Sequence, residues 1–495
     1  MAIARRTFLA GAVSAFSLSA LAACTPDSPV PPTPTLTPTE LPPGPVPNPS
    51  AFFRSAWADD PFSLGSFSSM PVGATPASRT TLRETVGARL FFAGEATSSE
   101  FPGTVVGAAA SGESVAERVA AVAQPEERIG IVGAGLAGAT AARLLKEQGF
   151  DVVVIEARDR VGGRIDTREA DGWPFPVELG AASVSAEGLA ELLRLNDIDT
   201  LSLESDAETR TASGLVVPPS SVGPDAVAQA VAWSKQQGSD ASLASALSAS
   251  GADAVSAEPG ASGVSPADEL VHYLDTAVAS RYGASPFELS ASYGLDREGQ
   301  GGGGAGGAGL AEGTRLIVGG LDTVVSTSLE DVDVLLSSTV IRISHTDDGA
   351  SLRLGTGESL SVDRVIVTVP IGVLQAGTIE FAPELPESTT SAIEELGMGS
   401  LEQLWLRFDE PFWSTEATVL SVVDETSEIA EWINLMPATG QAILIGLTAA
   451  DDVAVALKQN DQEFLEAALQ TLVPFVDPEA TSTPSPTTRP TVGAG

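Results

Sequence analysis

The stretch Arg128–Thr167, RIGIVGAGLAGATAARLLKEQGFDVVVIEARDRVGGRIDT, decides the fold. Arg128 to Val132 is a short apolar strand pattern, and Gly133-Ala134-Gly135-Leu136-Ala137-Gly138 follows at once. Ala139 to Gln148 has helical composition closed by Gly149, and Phe150 to Ile155 is a second buried strand ending on Glu156. In a strand–turn–helix of this kind each glycine has a task. Gly133 permits the tight turn, Gly135 lets the backbone approach a pyrophosphate, and Gly138 lets helix and strand pack closely. The helix N-terminus offers unpaired N–H groups to phosphate. Glu156 stands where a carboxylate accepts hydrogen bonds from ribose hydroxyls. An α/β dinucleotide-binding domain follows, with NAD and FAD both open.

Arg158 to Arg164 separates the two. Gly162-Gly163, just past the acid, allows another close backbone approach, and Arg164 offers a fork for phosphate. The run Glu156 to Arg164 resembles the flavin-containing amine oxidase family and the wider group of two-domain FAD oxidoreductases. The resemblance continues along the chain. Glu178-Leu179-Gly180-Ala181 is similar to the family strand that passes the flavin ring, and Ser337 to Val340 to the strand whose valine backbone meets the adenine. Asp363 to Leu374 and Gly399 to Trp413 match two further family segments.

The family's closing elements do not follow Trp432; similar elements stand at the front. Trp57 to Phe62 leads to Gly65-Ser66-Phe67-Ser68, then Arg89 to Thr97 with Gly94-Glu95, then Pro102 to Ala108 opening an alanine-rich helix. The resemblance therefore implies an FAD-binding, glutathione-reductase-type Rossmann domain with an α+β substrate domain, circularly permuted. The expected organisation is a twin-arginine/lipoprotein signal at 1–24 and a Pro/Thr-rich linker at 25–50. The permuted C-terminal part of the FAD domain follows at 51–124, and its Rossmann core at 125–185. Substrate-domain parts at 186–335 and 379–475 flank an FAD-domain return at 336–378, and 476–495 is a tail. Within these, Ala186 to Asn196 and Ala267 to Arg281 read as helices, and 300–309 as a glycine loop.

The leader reads as an address. Arg5-Arg6 before Phe8-Leu9 resembles a twin-arginine export signal, and Leu21-Ala22-Ala23-Cys24 a lipoprotein cleavage box that lipidates Cys24. Export with a lipid anchor on the outer face of a bacterial cell membrane is the expected location. In the 495-residue chain Cys24 is the only cysteine, and His272 and His345 are the only histidines. No intramolecular disulfide or thiolate metal cage can be assembled, and the unrelated contexts of the two histidines argue against a His-based metal site or a Ser-His-Asp triad, so the chemistry is expected to fall to an organic cofactor. The net charge of −39 excludes nucleic acid as a partner.

Taken as a family member, the chain implies removal of a hydride equivalent from a carbon beside nitrogen, followed by imine hydrolysis, with noncovalent FAD. A small-molecule amine and oxygen or another electron acceptor are the implied partners. Trp57 packs near the flavin in that reading. Gly94, Glu95, Thr104, Val105, Gly180, Ala181 and Val340 join the glycine-loop residues, Glu156, Arg158 and Arg164 around the cofactor. Three departures leave the substrate open. The family's lysine after the glycine matching Gly399 is Gln403 here, and the chain's lysines, Lys146, Lys235 and Lys458, lie elsewhere. The arginine that binds carboxylate in amino-acid oxidases is Ser183, and the Trp and His of polyamine oxidases are absent from Ala182 to Ser185. The paired substrate-flanking tyrosines are Phe67 and Thr104, and Ser66 replaces the flavin-linked cysteine of some members. Two other classes fit these residues: a flavin dehydrogenase or desaturase acting on a C–C bond, and a surface protein with a weakly active flavin fold.

Overall fold

The computed structural model describes residues 44–185, 193, 196–295, 310, 313–423 and 427–478. The expected signal, most of the linker, most of the helix at Ala186, the glycine loop and the C-terminal tail beyond 478 lie outside these residues, whereas Val476 at the start of the expected tail packs against the core of the second unit.

A five-stranded, all-parallel sheet runs in the order Asp333–Leu335, Asp151–Ile155, Arg128–Val132, Arg364–Val367, Leu90–Phe92. Its strands are near-continuous apolar runs because both faces are covered. Helices Val105–Ala120 and Leu136–Glu147 cover one face. They approach so closely that a Cβ on Gly112 would lie 2.4 Å from the Ala137 carbonyl oxygen. The other face packs on the four-stranded sheet Ser359–Val362, Ala350–Leu354, Val340–His345, Glu380–Ala382, where Leu352 and Val362 crowd Gly130. Leu90–Phe92 joins the five-stranded parallel sheet by pairing with Val365–Val367, and the helix after it returns to Arg128. The strand Asp333–Leu335 also belongs here, so the return into this domain begins before the expected boundary at 336.

A seven-stranded sheet forms the second unit, in the order Ala51–Arg54, Leu401–Arg407, Ile443–Ala449, Glu431–Asn434, Val419–Val423, Ala207–Thr211, Val216–Val217. Its side chains alternate faces with period two. Leu404, Leu406, Trp432 and Leu444 pack under the helix Asp461–Thr471. Trp405, Ile433, Ile445 and Leu447 face the opposite way. Val46, inside the expected linker, is buried in the first of these cores with Phe52 and Phe475. A helical cluster of Val222–Ser234, Leu243–Ser250 and Pro266–Tyr273 completes the unit. The expected helix over Ala267–Arg281 is interrupted: Leu274–Ala279 is a π turn before Ser280–Tyr282. The poorly patterned stretch after Ser205 contributes Ala207–Thr211, an edge-region strand whose AETRT sequence has no apolar alternation to announce it.

Candidate active site

Both units open on one cavity of about 620 Å³, within the range of cofactor and ligand clefts. Gly133, Gly135, Glu156, Arg158, Gly162, Gly163, Arg164, Gly180, Ala181 and Val340 line it, as do Trp57, Phe67, Gly94, Glu95, Thr104, Val105 and Gln403. Gly138 lies behind the wall.

The glycine turn is explained by space. Gly133 has φ +107°, and a Cβ there would meet Thr368 Oγ1 at 2.6 Å. A Cβ on Gly138 would lie 2.1 Å from the Gly133 carbonyl oxygen, which is the close helix–strand approach. A Cβ on Gly135 would meet nothing nearer than 3.8 Å, so it would point into the cavity. Gly135 caps the helix Leu136–Glu147 with no side-chain hydrogen bond, leaving N–H donors of its first turn open. The second glycine pair packs on the first: Gly162 N donates to Ala134 O at 2.9 Å.

Glu156 Oε2 accepts from Ala134 N and Oε1 from Arg158 N, both at 2.8 Å. Arg158 reaches across to Asp60 Oδ1 at 2.7 Å and Ser63 Oγ at 2.9 Å, so its fork ties the 51–124 segment to the Rossmann core. Ser337 N and Ser338 N bind the Arg158 and Glu156 carbonyls, which seats Val340 beside them.

Glu95, expected at the cofactor, carries more protein contacts than a cofactor-binding role requires. It accepts from Ser68 N at 3.1 Å, Ser68 Oγ at 2.6 Å, Gly103 N at 2.8 Å and Arg164 Nη1 at 2.8 Å. Those bonds use the lone pairs of both oxygens. Burial alone would raise this carboxyl, but Arg164, Arg79 and Ser68 hold it down at about 2. Glu95 thus orders the Ser66–Ser68 turn and Arg164, whose Nη1 also donates to Ser66 O at 3.0 Å. Thr104 Oγ1 is taken up similarly, accepting from Gly107 N as the N-cap of Val105–Ala120.

Toward the second unit, Trp57 Nε1 donates to Leu179 O at 2.9 Å. Gln403 Nε2 donates to Gly180 O at 2.7 Å, and its Oε1 accepts from Trp405 Nε1 at 2.9 Å. The indole is donor-only and the carbonyl acceptor-only, which fixes the amide orientation and leaves one Nε2 hydrogen for the cavity. Ser66 Oγ donates to Leu401 O and accepts from Leu401 N, joining the front segment to the substrate sheet. Glu431, Arg281, Thr276 and Ser280 also line this end. Sequence reasoning missed them. Glu431 sits in an ordinary strand pattern, and the π turn that carries Thr276 leaves no spacing signal.

The residues present fit FAD: open helix-end donors, a glycine facing free space, a second glycine turn stacked on the first and an acid at the ribose position. A parallel-sheet dinucleotide domain whose cleft is closed by a mainly antiparallel substrate sheet defines a two-domain flavoprotein oxidoreductase. The flavin containing amine oxidoreductase family matches residues 40–120 and 239–491, and the chain belongs to it. An NAD(P)-binding Rossmann-like domain matches residues 131–195. Polyamine oxidase 4 of Oryza sativa subsp. japonica is 27% identical over 371 residues, covering 71% of this chain and 73% of the relative. Probable polyamine oxidase 4 of Arabidopsis thaliana is 29% identical over 67% of this chain and 68% of its own length. Putrescine oxidase bound to putrescine shares the fold at TM-score 0.56 and 20% identity, covering 72% of this chain and 83% of that one. Cyclohexylamine oxidase from Brevibacterium oxydans IH-35A does so at TM-score 0.56 and 23% identity, covering 73% and 83%. The protein is an FAD-dependent oxidoreductase of amine oxidase type.

Proposed function

We propose that this protein oxidises the C–N bond of a small-molecule amine with noncovalent FAD, as an exported, lipid-tethered enzyme whose chain is a circular permutation of its family. The observation that carries the catalytic reading is the joint cavity, where the dinucleotide cradle opens directly onto a chamber walled by Phe67, Leu401, Ile433, Ile445 and Leu447. Bound FAD supplies the two-electron acceptor for a hydride from the carbon beside nitrogen, and water hydrolyses the resulting imine. The apolar wall excludes bulk water from the reacting carbon. Trp57 and Gln403, each hydrogen-bonded to the Leu179–Gly180 backbone, fix the chamber at the boundary between the two halves. Ser66, with both its donor and an acceptor position used by Leu401, offers no thiol for a flavin bond.

Anaerobic bleaching of bound flavin by a panel of butylamine, putrescine, cyclohexylamine and spermidine tests this without assuming an electron acceptor. Bleaching by at least one is expected; none, in fully loaded protein, would refute it. Acid precipitation is expected to leave the flavin in the supernatant.

The permutation is supported by residues 51–124 supplying strands to both large sheets and six of the expected site residues to the cavity. It is also supported by Val46 and Phe475 sharing one core, and by Asp477 N donating to Phe412 O. A relinked chain, joined between 478 and 44 and opened between 124 and 127, is expected to fold and load FAD. The anchor rests on the leader and Cys24. Cys24→Ser is expected to move the protein from membranes to the soluble fraction.

A further inference from the structure

Of the carboxylates lining the cavity, Glu95 and Glu156 are committed to backbone and arginine partners. Glu431 differs: it is 7% exposed, it lines the cavity, and its Oε2 has no hydrogen-bond partner. Leu447 is the cross-strand partner of both Gln403 and Glu431. Directly opposed residues share a sheet face, so the three form a row along the cavity wall, its ends two strand spacings or about 10 Å apart. The π turn Leu274–Ala279 brings Thr276 to the same cavity, and Ser280 and Arg281 follow it. π turns recur at functional sites because they break the regular repeat of the face.

Burial pushes the Glu431 carboxyl up to about 7, against the pull of Arg281. The flanking strands Val419–Val423 and Ile443–Ala449 carry no ionisable side chain. The helical segment also bears Asp275 and Tyr282, but among the described residues Arg281 is the charge that acts on Glu431. Glu178 is raised to about 7 as well, yet both its oxygens accept hydrogen bonds, from Thr167 and from Leu321 N. An open oxygen on a buried carboxyl is costly without a ligand.

We propose that Glu431 receives the ammonium group of the substrate and takes one proton from it, so that the amine is neutral when its C–N bond is oxidised. The inference rests on the amine-oxidising reading above. An N–H bond of R–NH3+ breaks and an O–H bond forms on the carboxylate, giving R–NH2 and the carboxylic acid with no electron transferred. In water the transfer runs uphill, because an alkylammonium titrates near 10 and a carboxylate near 4. Burial raises the acid and lowers the amine, since the neutral pair replaces two desolvated charges. Arg281 keeps the carboxylate available until the ammonium arrives. The proton returns to water as product leaves.

Butylamine and putrescine share a carbon chain and differ in one terminal ammonium, so they separate this role from recognition of a remote charge. In FAD-loaded Glu431→Gln, the second-order rate of anaerobic bleaching is expected to fall about a hundredfold for both amines. The rise of wild-type rate with pH near 7 is expected to vanish in that variant and to persist in Glu431→Asp. Binding of butylamine to pre-reduced holoenzyme near pH 8, by calorimetry in buffers of different ionisation enthalpy, gives a readout without turnover. The wild type is expected to release no net proton and Glu431→Gln about one per site. A loss confined to putrescine overturns the proposal, as do unchanged rates or binding to Glu431→Gln without proton release. Wild type bleached by neither amine overturns the amine-oxidising reading itself, and this inference with it.

Discussion

The dinucleotide end and the substrate end of the cavity treat polar groups in opposite ways. At the dinucleotide end the glycines leave space for a ligand, while Glu95, Glu156, Arg158 and Arg164 hydrogen-bond to protein. At the substrate end Glu431 keeps an oxygen open and Gln403 keeps one N–H. At the first end the charged side chains are already satisfied by protein, and the helix-end N–H groups after Gly135 are left for the ligand. The second holds groups whose partners must arrive. A satisfied network stabilises the fold, whereas an open buried carboxyl lowers stability and is retained where it acts.

The largest effect that can break this contrast lies in the glycines. Gly135→Val is expected to leave a folded protein that loads essentially no FAD, because its side chain enters free cavity. Gly138→Ala is expected to destabilise the apoprotein by several kcal/mol, because its Cβ meets the Gly133 carbonyl oxygen at 2.1 Å. Flavin absorbance per protein and apoprotein melting separate the two. Equal melting losses in both variants would mean that Gly135 is a packing residue.

Glu95 gives the next effect. Its folded carboxyl titrates at about 2 against a reference of 4.5, so it stabilises the fold fully above the reference value, and that contribution is lost as pH falls through about 2. Glu95→Gln is expected to cost about 3 kcal/mol at neutral pH, with the deficit closing below about pH 3 in denaturant titrations. A deficit independent of pH would show that lost packing rather than charge is responsible.

Glu431 carries the opposite sign. Its folded carboxyl is raised from 4.5 to about 7, so ionisation costs stability above about pH 7, and the cost is relieved as pH falls toward the reference value. Glu431→Gln is expected to gain about 2 kcal/mol at pH 8 and almost nothing near pH 4.5. The gain is smaller than the full shift because Arg281 loses an opposing charge. A destabilised Gln variant at pH 8 would place Glu431 among the structural carboxylates, beside Glu178.

The same contrast explains what the sequence discloses. The dinucleotide end is legible because its requirements are local: Gly133, Gly135, Gly138 and Glu156 are set by chain spacing within one strand–helix–strand. The placement of Trp57, Phe67 and Glu95 was readable from resemblance, although the full set of protein contacts on Glu95 was not. Val46 in a core and Ala207–Thr211 in a sheet went unannounced, since neither has the composition of a buried element. Glu431 was hidden because its meaning lies in pairing: only the register through Leu447 brings it into line with Gln403, and no periodicity within either strand records that alignment. Arg281 depends on a π turn, which sequence patterning at 3.6 residues does not reveal.

Gln403 offers the smallest and most discriminating change. The sequence resemblance sets it at the position of the family's lysine, and its amide is clasped by Gly180 O and Trp405 Nε1 with one hydrogen left for the cavity. That hydrogen can hold a water or substrate atom but brings no charge. A lysine would add a cation where negative charge develops as oxygen is reduced, and preorganised charge in a water-poor site lowers such barriers. It would also leave the buried Trp405 indole N–H without its acceptor, a cost of about 1–3 kcal/mol in stability. Gln403→Lys is therefore expected to melt lower than wild type yet react with oxygen about tenfold faster once reduced, equivalent to about 1.4 kcal/mol of barrier. Stopped-flow reoxidation of the anaerobically reduced, fully loaded variant measures this directly. A faster oxygen reaction with little change in amine-dependent bleaching means that the native glutamine tunes the choice of electron acceptor, favouring an acceptor other than oxygen. An unchanged or slower oxygen reaction means that the amide serves the Trp405–Gly180 clasp and that the acceptor is chosen elsewhere in the cavity.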